Sequence, residues 1–249
     1  MPLHAQLTTQ LRELKLSGMI PQIEVRLLEA QQNKLAYSEF LSMLLSDEIS
    51  TRATRKITRS LTKARLGAEQ TIESFDFSFN PSINAAHIRE LGTCNFLHSG
   101  DGVFFLGPTG TGKTHLAKAI AHAACRRAYS VAFYSLHWLL VEFTAADLGN
   151  RLNALIKKLV TVDLLVIDDF AFSSFDQHAA EFLYTIVDGR YAKRSIIITS
   201  NRSVTDWGSL FPDPIMANAI LDRLAHRSHQ IVIKGESYRK KFKPVFENA

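Results

Sequence analysis

Cysteine is scarce in this chain: among 249 residues only Cys94 and Cys125 occur. Two cysteines without ligand spacing exclude a zinc finger or ribbon, and without a secretory pattern they exclude a disulfide framework; both read as small buried residues in a reducing compartment. Long hydrophobic runs are also missing. No stretch approaches the roughly 18 apolar residues of a membrane helix, and residues 1–10 lack the order of a signal peptide, so the expectation is a soluble, cytoplasmic protein with no membrane partner. No internal repeat or low-complexity tract is present, which excludes a solenoid or an array. Glycine is sparse, yet three of the 12 glycines, Gly107, Gly110 and Gly112, fall within one short stretch. With 46% hydrophobic residues, the chain can bury a substantial core, one large domain with a smaller one beside it.

The stretch Gly107-Pro108-Thr109-Gly110-Thr111-Gly112-Lys113-Thr114 fits G-x-x-x-x-G-K-[ST] at every fixed position. Its glycines let the backbone wrap phosphates, so that successive N–H groups and the N-terminus of the next helix face negative charge. The context is the one the motif requires, with a buried strand expected over 102–106 and a helix over 113–127. The implied ligands are a nucleoside triphosphate and Mg²⁺. Lys113 would bridge the β- and γ-phosphates, and Thr114 would place its hydroxyl on the metal.

A second run, Leu164-Leu165-Val166-Ile167-Asp168-Asp169, reads as a central parallel strand that delivers two acids to the ligand crevice of an open α/β sheet. Asp168 would hold Mg²⁺ through water and Asp169 would polarise the attacking water. A third buried strand, 195–200, ends in Asn201, either a turn residue or an amide that orients water against the γ-phosphate.

Charge is unevenly spread. Residues 1–72 hold 10 Lys/Arg against 7 Asp/Glu, residues 73–225 hold 13 against 15, and residues 226–249 hold 6 against 2. The densest cluster comprises Arg52, Arg55, Lys56, Arg59, Lys63 and Arg65, with no acid in 51–68. On a helix Arg52, Lys56, Arg59 and Lys63 make one cationic stripe, beside an apolar one of Ala53, Ile57 and Leu61. Such a stripe is either a solvated face or a set of phosphate contacts.

Taken together, Phe75-Asp76-Phe77-Ser78-Phe79-Asn80-Pro81, the Gly107–Thr114 loop, Asp168-Asp169-Phe170, Thr199-Ser200-Asn201-Arg202-Ser203, Leu221-Asp222-Arg223-Leu224 and Ser237-Tyr238-Arg239 resemble the AAA+ ATPases of the initiator and helicase-loader branch. Within that branch the chain is most similar to the IstB-like transposition helper ATPases of insertion sequences, and more distantly to DnaC-type loaders. The resemblance spans essentially the whole chain; Ala171 departs from it where glycine is expected in many relatives. It implies that Arg223 is an arginine finger entering a neighbouring subunit's site and that Arg239 is a second nucleotide sensor. It also implies a homo-oligomer assembled by ATP on double-stranded DNA, DNA contacts through Arg52, Arg55, Lys56, Arg59 and Lys63, and a transposase partner. A replicative helicase loader is the nearest competing function. A small-molecule kinase shares the loop but conflicts with Asp169, Asn201 and Arg223, and no aromatic pore loop supports a remodelling chaperone.

The expected architecture is a P-loop AAA+ parallel sheet sandwiched by helices, with a small all-helical N-terminal domain and a vestigial lid. Its parts are a helical domain at 1–72 for DNA or a partner, an extended aromatic linker at 73–82, and the ATPase domain at 83–249. On the long helix starting near Ser38, Phe40, Leu41, Leu44, Leu45 and Ile49 form an apolar face that packs internally or against a partner. The linker docks on the ATPase core or on the next subunit. Trp138 and Trp207 are expected to pack inside.

Overall fold

The computed structural model describes residues 2–66, 70–171 and 173–238. The chain divides into two compact units, one ending at Arg59 and the other beginning at Ser60.

The first unit holds α1 (Pro2–Glu13), a 3-10 turn (Ile20–Gln22), α2 (Ile23–Asn33) and most of α3 (Tyr37–Lys63). Its core is small: Met19, Ile23 and Leu44, with Leu11, Leu16, Leu27 and Phe40 packed around them. The apolar face expected on α3 therefore splits. Phe40 and Leu44 turn inward, whereas Leu41, Leu45 and Ile49 stay exposed. Polar contacts supplement this core. Arg26 grips Asp47 with two bonds of 2.8 and 2.9 Å, and Glu48, nearly fully buried, accepts from the Gly18 N–H at 2.6 Å. Only glycine fits there, because a Cβ on Gly18 would lie 2.7 Å from Glu48 Oε2 and from Thr51 Cβ.

The second unit begins inside α3, because Leu61, Ala64, Leu66 and Ile72 pack with the sheet's core rather than with the first three helices. Its five strands are β1 (Gly102–Leu106), β2 (Val131–Ser135), β3 (Leu164–Asp168), β4 (Ser195–Ser200) and β5 (Ser228–Val232). They pair in the order β2-β3-β4-β1-β5, all parallel. Period-two alternation sends Val103 and Phe105 to one face and Phe104 and Leu106 to the other, so both faces are apolar and both are covered. α6 (Lys113–Arg126) covers the first face through Leu116 and Ile120. α8 (Leu152–Thr161), α9 (Gln177–Arg190), a 3-10 segment (Val204–Leu210) and α10 (Pro214–Ala225) contribute Leu159, Leu183, Trp207 and Ile220 to the second. α4 (Ala85–Leu91), α5 (Phe96–Ser99) and α7 (Leu136–Leu148) complete the described helices.

Arg190, fully buried, ties these layers together. Its guanidinium donates to the carbonyls of Leu159, Val162 and Ser195, joining the end of α8 to the start of β4, and burial lowers its pKa to about 9. Trp207 is buried as expected of a packing residue. Trp138, on α7, is instead 61% exposed, because the inward positions of that helix go to Leu136, Leu139 and Phe143.

Residues 73–82 are not extended. Asp76 Oδ1 accepts from the Ser78 N–H at 3.0 Å and the Phe79 N–H at 3.3 Å, and these side-chain bonds fold the segment into consecutive turns. Phe75 and Phe77 pack edge to face against each other and onto the core of this unit. Among the described residues no helix is long and apolar enough to cross a membrane.

Candidate nucleotide site

Parallel strands bring their C-terminal ends to one edge, and there the glycine loop, Asp168, Asp169 and Asn201 are placed. β1 leads into the glycine loop and α6 follows it at once. Gly107, Gly110 and Gly112 have φ of 142°, 84° and 98°, conformations open to glycine. Each is also crowded. A Cβ would meet the Ile233 carbonyl oxygen at 2.0 Å, Ser237 Oγ at 2.0 Å and the Phe75 ring at 2.7 Å, respectively. Side chains inside the loop hold its curve, since Thr111 Oγ1 and Lys113 Nζ both donate to the Pro108 carbonyl, at 2.9 and 2.7 Å. Lys113 is 6% exposed, so its ammonium is kept within the loop rather than in solvent.

β3 lies beside β4, with Ile167 opposite Ile198, and the next residues in each strand are Asp168 and Thr199. Asp168 Oδ1 accepts from Thr114 Oγ1 at 2.8 Å and from Thr199 Oγ1 at 2.5 Å. Burial pushes its carboxyl above the ordinary range; the two hydroxyls pull it back, and neighbouring Asp169 raises it again. Asp169 is exposed and lines the same cavity as the loop. Its backbone is left-handed, φ 54°, and the Thr199 side chain and carbonyl hold it there by accepting from the Asp169 and Phe170 N–H groups at 3.0 and 2.9 Å. The left-handed residue of this turn is Asp169, and Ala171 sits buried with an ordinary φ, so alanine there needs no strained backbone.

Ser200 ties the site to its support: its carbonyl accepts from Gly107 N–H at 3.1 Å and its hydroxyl from Trp207 Nε1 at 3.1 Å. Asn201 follows immediately and is exposed at this edge. Arg223, on α10, does not line the loop's cavity. Its Nε donates to Asp188 Oδ1 on α9 at 2.9 Å and its guanidinium lies over the Tyr184 ring at 5.2 Å; the partner is thus Asp188 rather than adjacent Asp222. Arg239 lies outside the described residues.

The cavity, about 450 Å³, was only partly legible in sequence. Thr109, Gly110 and Lys113 form one side; Phe75, Phe79 and Asn80 of the turn segment form another. Tyr238 closes it, with its N–H on the Gly110 carbonyl at 2.9 Å and its ring edge-on to Phe79 at 4.8 Å. Gln70 and Lys118 also line it, and no spacing rule announced either. Among the described residues no cluster of three or more His, Cys, Asp or Glu could hold a metal by protein ligands alone.

A profile of the IstB-like ATP binding proteins matches residues 9–245. This chain belongs to that family. An insertion-sequence ATP-binding protein of Mycobacterium tuberculosis is 37% identical over 239 residues, 96% of this chain and 95% of the relative. The insertion sequence IS21 ATP-binding protein of Pseudomonas aeruginosa is 38% identical over 238 residues, 96% and 90% of the two. Among solved structures, the DnaC helicase loader superposes with a TM-score of 0.58 at 22% identity, covering 66% of this chain and 97% of DnaC. The replication initiator DnaA bound to AMPPCP and single-stranded DNA gives 0.59 at 23%, covering 69% and 51%. The IstB-like chain therefore has the AAA+ P-loop fold.

The five cations expected on DNA all lie exposed on α3, but they are not equivalent. Arg52 pairs with Glu48 at 2.7 Å and donates to the Lys15 carbonyl, and Arg55 donates to Ser17 Oγ at 2.8 Å. These two fasten the turn before the 3-10 segment.

Proposed function

We propose that this IstB-like protein is an ATPase that oligomerises on duplex DNA in its ATP-bound state and assists the transposase of its insertion element in choosing and engaging target DNA. The observation that supports turnover, beyond the ATP binding its family is named for, is the joint hold of Thr114 and Thr199 on Asp168, with Asp169 free to face the cavity.

The residues fit Mg²⁺. A hydroxyl and a carboxylate are hard oxygen donors, and two such ligands suit an ion that takes its remaining oxygens from phosphates and water. When bound, Mg²⁺ neutralises charge on the β- and γ-phosphates. Thr114 and Asp168 would hold it, Asp168 through water. Lys113 would leave the Pro108 carbonyl for the phosphates, with the loop N–H groups of 109–114 around them. Asp169 would accept hydrogen bonds from a water aligned with the γ-phosphorus, and Asn201 would fix that water's orientation. Attack breaks the bond between the γ-phosphorus and the bridging oxygen, leaving ADP and inorganic phosphate.

Arg223 would serve a neighbour's site, because it lies away from its own cavity, and subunit contact would then depend on nucleotide state. Lys56, Arg59 and Lys63 supply phosphate contacts on α3. The helicase-loader reading rests on fold likeness alone, whereas the family match runs with insertion-sequence proteins. The deciding experiment measures ATP hydrolysis with and without duplex DNA, together with oligomer size. Turnover that requires assembly supports the proposal; ATP binding without hydrolysis in any assembled state overturns it.

A further inference from the structure

Besides the nucleotide cavity, the second unit holds a hollow of about 190 Å³ lined by Arg89 of α4, Arg126 at the end of α6 and Arg127 just beyond it. The two share no lining residue, and Arg126 stands about 20 Å along α6 from Lys113 of the loop. Three guanidiniums face a single acid, Glu73, around this space. For two of them the contacts within the fold supply position without a counter-charge. The Arg89 guanidinium lies over the Phe77 ring at 5.7 Å, and Phe77 is itself held edge to face by Phe75 at 4.9 Å. Arg127 Nη1 donates to the Ala123 carbonyl at 3.3 Å. Like charges gathered around one small space repel, and a guanidinium fork already held in place matches the oxygens of a phosphate group two at a time.

We infer that Arg89, Arg126 and Arg127 build a second phosphate site, apart from the glycine loop, that takes a phosphate group of the DNA backbone. In that source it rests on the proposed duplex binding; free inorganic phosphate offers the same chemistry. All three arginines are exposed, so a phosphate reaches them from solvent. The hollow has less than half the volume of the nucleotide cavity, which suits one phosphate group rather than a second triphosphate. Its position favours the DNA backbone. The Ser60 side chain of α3 hydrogen-bonds Cys125, the residue before Arg126, so Lys63, one turn further along α3, lies on the same flank of this unit as the hollow. The cations assigned to DNA on α3 thus continue onto the ATPase unit instead of ending with the helix. Contacts of this kind neutralise phosphates and read no bases.

The test has two arms, both on the full-length protein with Mg²⁺ and a non-hydrolysable ATP analogue filling the nucleotide cavity. In the first, duplex binding is titrated with salt, and Arg89→Gln combined with Arg127→Gln flattens the log–log slope by about 0.9 for each cation that meets a phosphate. In the second, inorganic phosphate is titrated by calorimetry at fixed ionic strength, and the same double variant binds it at least about tenfold more weakly. A flatter slope identifies the DNA backbone as the source; weakening in the phosphate arm alone identifies free phosphate, and either result upholds the site. A parental slope together with parental or absent phosphate binding overturns it. Should the double variant fail to fold, Glu73→Gln carries the test: removing the one acid tightens phosphate-group binding severalfold, and unchanged binding in both arms overturns the site. The two levels fail separately. A parent that binds no duplex removes the proposed DNA binding and leaves the phosphate arm to decide the site, whereas duplex binding with an unaltered slope and no phosphate affinity removes the site and leaves the α3 cations in place.

Discussion

Thr199 and Asp168, neighbours on adjacent strands, share a hydrogen bond of 2.5 Å, and the same Thr199 side chain accepts the Asp169 N–H at 3.0 Å. One hydroxyl on β4 thus fixes both acids at the end of β3, buried Asp168 by its carboxylate and exposed Asp169, just beyond the strand, by its backbone. Thr199→Val keeps the shape and removes both bonds. It is expected to lower ATP turnover by roughly ten- to a hundredfold while nucleotide binding changes much less, since a lost buried hydrogen bond costs about 1–3 kcal/mol. Thr199→Ser restores most of the rate. Steady-state hydrolysis alongside calorimetric binding checks this, and parental turnover in Thr199→Val refutes it.

Lys113→Ala and Asp169→Asn are expected to differ in kind. The first loses productive nucleotide binding, because Lys113 belongs to the phosphate cradle. The second should bind ATP and stop turning it over, because the loop is whole and only the group proposed to face the water has changed. Hydrolysis by Asp169→Asn at the parental rate would exclude Asp169 from the water-polarising role.

Arg223 sits on Asp188 and Tyr184 within its own subunit, so acting on a neighbour's phosphate requires leaving that pair. Arg223→Ala subunits are expected to bind ATP and fail to hydrolyse it, with a loss on the order of 10³ to 10⁵ in rate. Mixing them with Lys113→Ala subunits is expected to restore part of the activity, since each variant would spoil a different half of the proposed shared site. Co-assembly without any recovery places the action of Arg223 in its own subunit.

For DNA, the structure separates two kinds of cation on α3. Neutralising Lys56, Arg59 and Lys63 is expected to flatten the salt dependence of duplex binding by about 0.9 in log–log slope for each phosphate-binding cation removed, with DNA-free ATPase activity unchanged. Sequence preference stays as it was, because phosphate contacts position without reading bases. Arg52→Ala should instead lower the melting temperature, since Arg52 pairs with buried Glu48 and holds the Lys15 carbonyl. An unchanged slope in the triple variant makes the stripe a solvated face and moves the search to Arg151, Lys157 and Lys158.

The small first unit is expected to be acid-sensitive. Burial pushes the Glu48 carboxyl up, but Arg52 and the Gly18 N–H outweigh it and hold it below the ordinary value of 4.5; Arg26 holds Asp47 below its ordinary 3.8. Carboxyls depressed by folding contribute stability that is fully present above those ordinary values and is lost as pH falls below them. Tryptophan is absent from 1–59, so the two units can be followed apart: backbone NMR signals of the first unit should broaden or shift below about pH 4.5 before Trp207 fluorescence changes. Glu48→Gln moves that onset, and an onset insensitive to it would remove Glu48 from the acid response.

The glycine loop was legible in the sequence because its chemistry is local. Three glycines with positive φ, a lysine and a threonine in eight consecutive positions dictate both the backbone curve and the ligand it fits. The strand ending in Asp168-Asp169 and the alternation of strands with helices were legible for a related reason: buried parallel strands need continuous apolar runs, and those runs mark themselves. What sequence could not reveal depends on contacts between residues far apart in the chain. Thr199 reads as one polar residue in a strand until β4 lies beside β3, and Asn80 as a turn residue until Ser82 meets Lys234. The turns of 73–82 follow from Asp76 capping its own backbone, which overrode the alternating aromatic pattern that suggested an extended linker. Arg52 looked equivalent to Lys56 on a helical wheel, and only the buried carboxylate of Glu48 one turn earlier made it a structural residue. The sequence by itself determined the phosphate chemistry, because a P-loop is a property of adjacent residues. The tertiary structure alone decided which side chains line the cavity, which hold the acids, and which cations of α3 are tied to a neighbour, because burial and pairing are properties of neighbours in space.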